Sequence, residues 1–195
     1  MSQATIPGYA KGSPALPPSL VSDEDLDRLL QTVLWSDSDA AALRRAGELL
    51  EPQIDAILDT WYGFVGSHDF LVEHFAGPDG APDGTYLERV RARFGQWIRD
   101  LCSAEFDRAW LDWQHEIALR HHRTKKNQTD GVRSTSEEVP LRYIIAFVVP
   151  LTLTIRQFLE RAAGPEDDVD AMYDAWFKSV TLTAALWAEP YSSSW

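Results

Sequence analysis

Apolar side chains along this 195-residue chain recur at spacings of three and four and almost never alternate. A period near 3.6 gathers such residues on one face of a helix, whereas a half-buried strand needs a period of two. Ile54, Ile57, Leu58, Trp61 and Val65 form one such face, and Val90, Phe94, Trp97 and Leu101 another. Two long stretches, "PLRYIIAFVVPLTLTIRQFLERA" and "EDDVDAMYDAWFKSVTLTAALWA", carry the same pattern. The β-branched run Ile144 to Val149 has a strand-like composition, but its periodic flanks make it part of a buried helix. Pro150 is expected to kink that helix.

Capping residues and breakers divide the chain. Ser22 can cap a first helix, Asp37 or Ser38 a second, and Pro52 suits the start of a third. Thr85 and Glu88 have capping-box spacing before the next long helix. A further helix is expected from about Glu105 to Lys126, followed by the polar stretch "NQTDGVRSTSEE". Gly164-Pro165 separates the last two helices. Residues 1–20, with Pro7, Gly8, Gly12, Pro14, Pro17 and Pro18, read as an irregular N-terminal arm. The expectation is an all-α fold of about eight helical segments in a single domain spanning residues 21–195.

Composition narrows the function. A net charge of −12 excludes nucleic-acid binding through a basic surface, since the run Arg120 to Lys126 is a small exception. The lone cysteine, Cys102, excludes an internal disulfide and a cysteine metal cluster. The N-terminus lacks a continuous apolar core like that of a signal peptide, and no run of 18 apolar residues suggests a membrane span. A cytoplasmic location is the expectation. Eight tryptophans supply large flat surfaces suited to a core or to a flat ligand.

The stretch "WLDWQHEIALRHHRTKKNQTD" holds three of the five histidines. At about 100° per residue, Trp110, Trp113, Ile117 and His121 fall within a quarter-turn, while His122 lies about 100° further round with Leu111, His115 and Ala118. His121 therefore ends the most aromatic face. From the wheel alone it is either a satisfied core histidine or a ligand. Zinc is disfavoured, because His115 and His122 are seven apart and no HExxH spacing occurs. One strong axial donor, many aromatics and an all-α fold suit a haem.

The runs "IPGY", "LDTWYGFVGSH", "AWLDWQHEIALRHH", "RHHRTKKNQTD" and "MYDAWFKSV" resemble those of the protoglobins, single-domain globins related to globin-coupled sensor domains. The likeness covers essentially the whole chain. It implies a globin-like helical sandwich with an extra N-terminal arm and helix, holding haem b on His121 as proximal ligand. By the same resemblance Trp61, Tyr62 and Phe94 form the distal side, with Phe147 and Leu151 beside them, and Phe75 packs on the porphyrin. Trp113 and Ile117 share the face of His121 and join the cofactor contacts. Arg91, Arg93 and Arg120 are candidates for the haem propionates.

The resemblance further implies that the arm covers the haem, that ligands enter by tunnels between helices, and that copies pair as homodimers through the last two long helices. The segment "SHDFLVEHF" departs from the family pattern by the charges of Asp69 and Glu73. No output domain is expected after Trp195. The implied function is reversible binding of O2, CO and NO at a five-coordinate iron. The alternative is a haem enzyme acting on NO, nitrite or peroxide, or transferring carbenes from artificial reagents. "TWYGF" offers neither the histidine nor the arginine that peroxidases use there. A helical interaction module without cofactor is the third class.

Overall fold

A computed structural model of the chain describes residues 5–77, 79–132 and 135–192. Residues 1–4 of the expected arm and 193–195 of the expected domain lie outside the described residues. Eight α-helices occur among the described residues: α1 Asp23–Thr32, α2 Asp37–Leu50, α3 Ile54–Gly66, α4 Asp69–Val72, α5 Gly84–Cys102, α6 Arg108–His121, α7 Leu141–Ala162 and α8 Val169–Trp187. Short 3-10 turns occupy Glu51–Gln53, Glu73–Phe75 and Glu189–Tyr191. Among the described residues an isolated bridge between Ala76 and Pro82 stands in place of any strand. Ile144 to Val149 lies inside α7, as its flanks require.

Local chemistry places the helix ends. Ser22 caps α1 by accepting from the Asp25 N–H. Ser36, rather than Asp37 or Ser38, caps α2, because its hydroxyl and the Asp39 carboxylate form a reciprocal capping box. Asp83, rather than Thr85, caps α5 by accepting from the Tyr86 N–H at 2.9 Å. Pro52 falls within the 3-10 turn that leads into α3.

The helix expected to reach Lys126 stops at His121. His122 is extended, with ψ 155°, and its Nδ1 accepts from the Thr124 N–H at 3.3 Å. The His121 carbonyl accepts instead from Val139 N–H at 2.8 Å, so the chain is drawn into turns and returns across the helix end.

The core forms where α7 and α2 pack on α8, with α3, α5 and α6 around them. Leu43, Leu50, Ile57, Leu101, Ile155, Leu159 and Trp176 are fully buried there. Each large apolar side chain contributes about 1.5–3 kcal/mol on burial. Gly47 allows α2 and α5 to approach closely, since a Cβ there would lie 2.6 Å from Cys102 Cβ. By length and composition α7 could cross a membrane. In this fold it is a packed helix whose Ile144, Leu151, Ile155, Phe158 and Leu159 are buried.

The arm is tethered to the helical body rather than trailing from it. Tyr9 Oη lies 3.0 Å from both carboxylate oxygens of Asp100. Arg93 donates to Pro7 O at 2.8 Å and Arg120 to Gly8 O at 2.7 Å. Gly8 sits at φ +77°, a left-handed turn where a side chain would also meet Arg93. Further along, Ser19 N–H donates to Asp112 at 2.8 Å.

Candidate functional site

A cavity of about 260 Å³ opens between α3, α5, α6, α7 and α8. All nine residues singled out from the sequence line it, although they come from widely separated segments. Trp61 and Tyr62 project from α3, Phe75 from the 3-10 turn after α4, and Phe94 from α5. Trp113, Ile117 and His121 come from α6, and Phe147 and Leu151 from α7. Trp110, the fourth residue of the wheel face, instead packs into the core against Phe106, with ring centroids 4.6 Å apart.

His121 Nδ1 lies 2.8 Å from the carbonyl oxygen of Ile117, one turn earlier. A carbonyl only accepts, so Nδ1 carries the proton. Burial is the main cause that lowers the imidazole pKa to about 4, which leaves the ring neutral at pH 7. The neutral tautomer then has its lone pair on Nε2, across the ring from the helix backbone. That nitrogen is a metal-ligating donor of the kind an iron requires.

Elsewhere on the wall, Trp61 stacks on Phe94 with centroids 5.0 Å apart and donates through Nε1 to Thr154 Oγ1 at 2.6 Å. The Tyr62 ring sits 6.5 Å from both Phe75 and Phe94. Burial raises the pKa of its phenol, so the proton stays on Oη. No hydrogen bond to Tyr62 Oη forms among the described residues, which leaves a donor uncommitted in an apolar chamber.

The three candidate arginines divide. Arg93 and Arg120 line the cavity, whereas Arg91 turns outward to Asp59 at 2.9 Å and lies over the outer side of the Tyr62 ring. Arg93 is paired with the buried Asp130 at 2.6 Å, and Arg120 with Glu116 at 2.8 Å. In the atypical segment "SHDFLVEHF", Asp69 and Glu73 are exposed, so their charges do not disturb the placement of Phe75.

Sequence reasoning missed His74, Lys126 and Trp187, all of which line the cavity. Lys126 donates to the carbonyl of His74 at 3.0 Å, and burial pushes its ammonium down to about 8. His74 is buried, with Nδ1 2.7 Å from Ser136 Oγ. The local run "TWYGF" lacks histidine and arginine, yet folding brings His74 and Arg93 to the same cavity from elsewhere. Helical periodicity carries no signal for such arrivals. His115 and His122 point away from the cavity, His115 Nδ1 toward Glu189 at 3.1 Å and His122 Nδ1 toward Thr124 Oγ1 at 2.6 Å.

The donor set fits a haem. An aromatic chamber suits the porphyrin face, a neutral imidazole nitrogen suits the iron, and cationic groups suit the propionates. Fold and site together define an all-α protein of globin-like fold with an internal cofactor pocket. A family model described as Protoglobin matches residues 22–194, and the chain belongs to the protoglobin family. Membership brings with it a haem cofactor and gas binding of the globin type. A comparison with curated proteins gives no match.

Proposed function

We propose that this protoglobin holds haem b through His121 Nε2 and reversibly binds O2, CO and NO. When bound, the haem supplies an iron with one coordination position open to a diatomic gas. The observation that carries the reading is a single cavity with two complementary groups on its wall. One is the lone pair of a neutral imidazole set in the wall, and the other is the uncommitted proton of Tyr62 Oη.

The chain's own residues perform four tasks. His121 offers a lone pair that the Nδ1 bond to Ile117 places on Nε2. Tyr62 presents a proton into a chamber of low dielectric, which favours a gas that gathers negative charge, O2 or NO, over CO. Trp61, Phe94, Phe147 and Leu151 exclude water and confine the ligand space. Arg93 and Arg120, with Lys126, supply positive charge for the propionates, and the tethered arm over the same two arginines covers the haem.

Two further parts of the reading concern assembly and setting. Ile145, Val149 and Leu153 form an i, i+4, i+8 stripe on α7 with relative exposures of 54%, 57% and 65%, and Phe177 of α8 is also exposed. This stripe supports a homodimer through the last two long helices. A chain with one cysteine forms no internal disulfide, which supports a reducing, cytoplasmic setting.

The test is the absorption spectrum of purified, haem-supplemented protein in ferric, ferrous and CO-bound states, beside His121→Ala. Reversible CO and O2 spectra that vanish in the variant support the reading. A variant with wild-type haem content and spectra overturns it.

A further inference from the structure

Each histidine of the stretch 115–122 is met by a residue of the C-terminal segment 187–191. His115 Nδ1 lies 3.1 Å from Glu189 Oε2. The His122 ring meets Tyr191 edge-on at 4.9 Å. Between them, His121 is stacked on Trp187, with centroids 4.8 Å apart and planes inclined by 26°.

We infer that Trp187 is the positioning residue for the His121 imidazole, setting the direction in which Nε2 faces the cavity. The inference rests on the reading of His121 as the haem ligand and deepens it. The bond to Cβ and one hydrogen bond at Nδ1 hold one edge of the ring and leave its far side free to pivot about that edge. That pivot would sweep Nε2 across the cavity. An indole plane lying against the imidazole face, with centroids 4.8 Å apart, removes this freedom.

The indole is itself held. Trp187 Nε1 donates to Gln114 Oε1 at 3.0 Å. Gln114 is 0% exposed, and its Nε2 has no hydrogen-bond partner among the described residues. An amide buried at that cost is poorly explained by packing, since an apolar side chain of like size would fill the space without an unpaired donor. The bond it does make fixes Trp187. Tyr191 completes the brace: its Oη donates to Val139 O at 2.7 Å, and Val139 N–H in turn donates to the His121 carbonyl at 2.8 Å. The C-terminal turn thus grips the ligand-bearing end of α6 from both the side chain and the backbone.

The experiment compares haem-loaded wild type with Trp187→Leu, Trp187→Phe, Gln114→Met and His121→Ala. Readouts are the iron–histidine stretching band of the ferrous protein by resonance Raman, the rate of haem loss to an excess of scavenging apoglobin, and the melting temperature. The expected result for Trp187→Leu is a shifted and broadened band with haem loss about three- to tenfold faster, as befits one lost aromatic stack. Trp187→Phe restores the band, and Gln114→Met moves it in the same direction as Trp187→Leu. Should Trp187→Leu fail to fold, Gln114→Met carries the test alone. A lowered melting temperature with unchanged band and haem-loss rate overturns the inference. Wild-type spectra in His121→Ala would overturn the parent reading instead. In that case the haem-free protein still reports the stack, through His121 ring-proton shifts that relax in Trp187→Leu.

Discussion

The Nδ1 of His121 donates to the carbonyl of Ile117 at 2.8 Å, and this contact decides which ring nitrogen is available to a metal. With the proton on Nε2 instead, the lone pair would sit on Nδ1, against the helix backbone. Replacing His121 with Ala should therefore abolish stable haem uptake while leaving helix content intact. Haem titration followed in the Soret region, with circular dichroism on the same samples, checks both halves.

Of the phenols on the cavity wall, Tyr62 is the one set beside Trp61 on α3 with its ring edge-on to Phe94 at 6.5 Å, and its hydroxyl makes no hydrogen bond among the described residues. Tyr62→Phe should speed O2 dissociation about fivefold to tenfold, the loss of one hydrogen bond, with CO dissociation changed far less. Thermal stability should hold, since no protein hydrogen bond is removed. Flash photolysis and stopped-flow displacement measure the two rates.

Acid should weaken the haem-free protein through His121. Burial lowers its pKa from 6.5 to about 4, so between those values the unfolded chain binds more protons than the folded one. Stability from this group is full above about pH 6.5 and is lost as pH falls toward 4, with an upper limit of about 3 kcal/mol. Urea melts across that window should show the slope, and His121→Phe should reduce it, leaving the part that comes from His74, whose pKa burial also lowers. An equal slope in the variant would assign the acid sensitivity to other groups.

The arm is latched by Tyr9 and by two arginines at the cavity. Tyr9→Phe removes the bond to Asp100, a carboxylate whose pKa is raised chiefly by burial, and should cost about 1–2 kcal/mol. Gly8→Ala should loosen the same latch by a different route, because its φ of +77° and the nearby Arg93 both disfavour a side chain. Limited proteolysis within residues 5–20 should accelerate in both variants, and haem loss with it. Unchanged cleavage would show that the arm is held elsewhere.

The α7 stripe gives a test of assembly that spares the fold. Val149 and Leu153 are more than half exposed, so Val149→Glu with Leu153→Glu should change the unfolding free energy of the monomer by no more than about 1 kcal/mol. Sedimentation velocity should then show monomer where the wild type is dimeric. A monomeric wild type would remove the stripe from consideration as an interface.

Most of the helical scaffold was legible in the sequence because helices declare themselves locally. A 3.6 period, a capping hydroxyl or a Gly-Pro break acts over a few residues, and the faces around Trp61, Phe94 and His121 follow from such spacing alone. The ends of helices were less legible. α6 halts at His121 because Val139, 18 positions later in the chain, takes up the His121 carbonyl, and no local pattern announces that.

The sequence by itself determined which imidazole ended the aromatic face of α6, and the resemblance of its motifs brought the remaining wall residues into view. Only the tertiary structure decided that Arg93 and Arg120, not Arg91, line the cavity; that His74 and Lys126 join them; and that Trp187 lies flat on His121. The reason is physical. Periodicity arises from bonds between near neighbours, whereas the wall of a cavity is assembled by long-range packing, which brings together side chains dozens of residues apart.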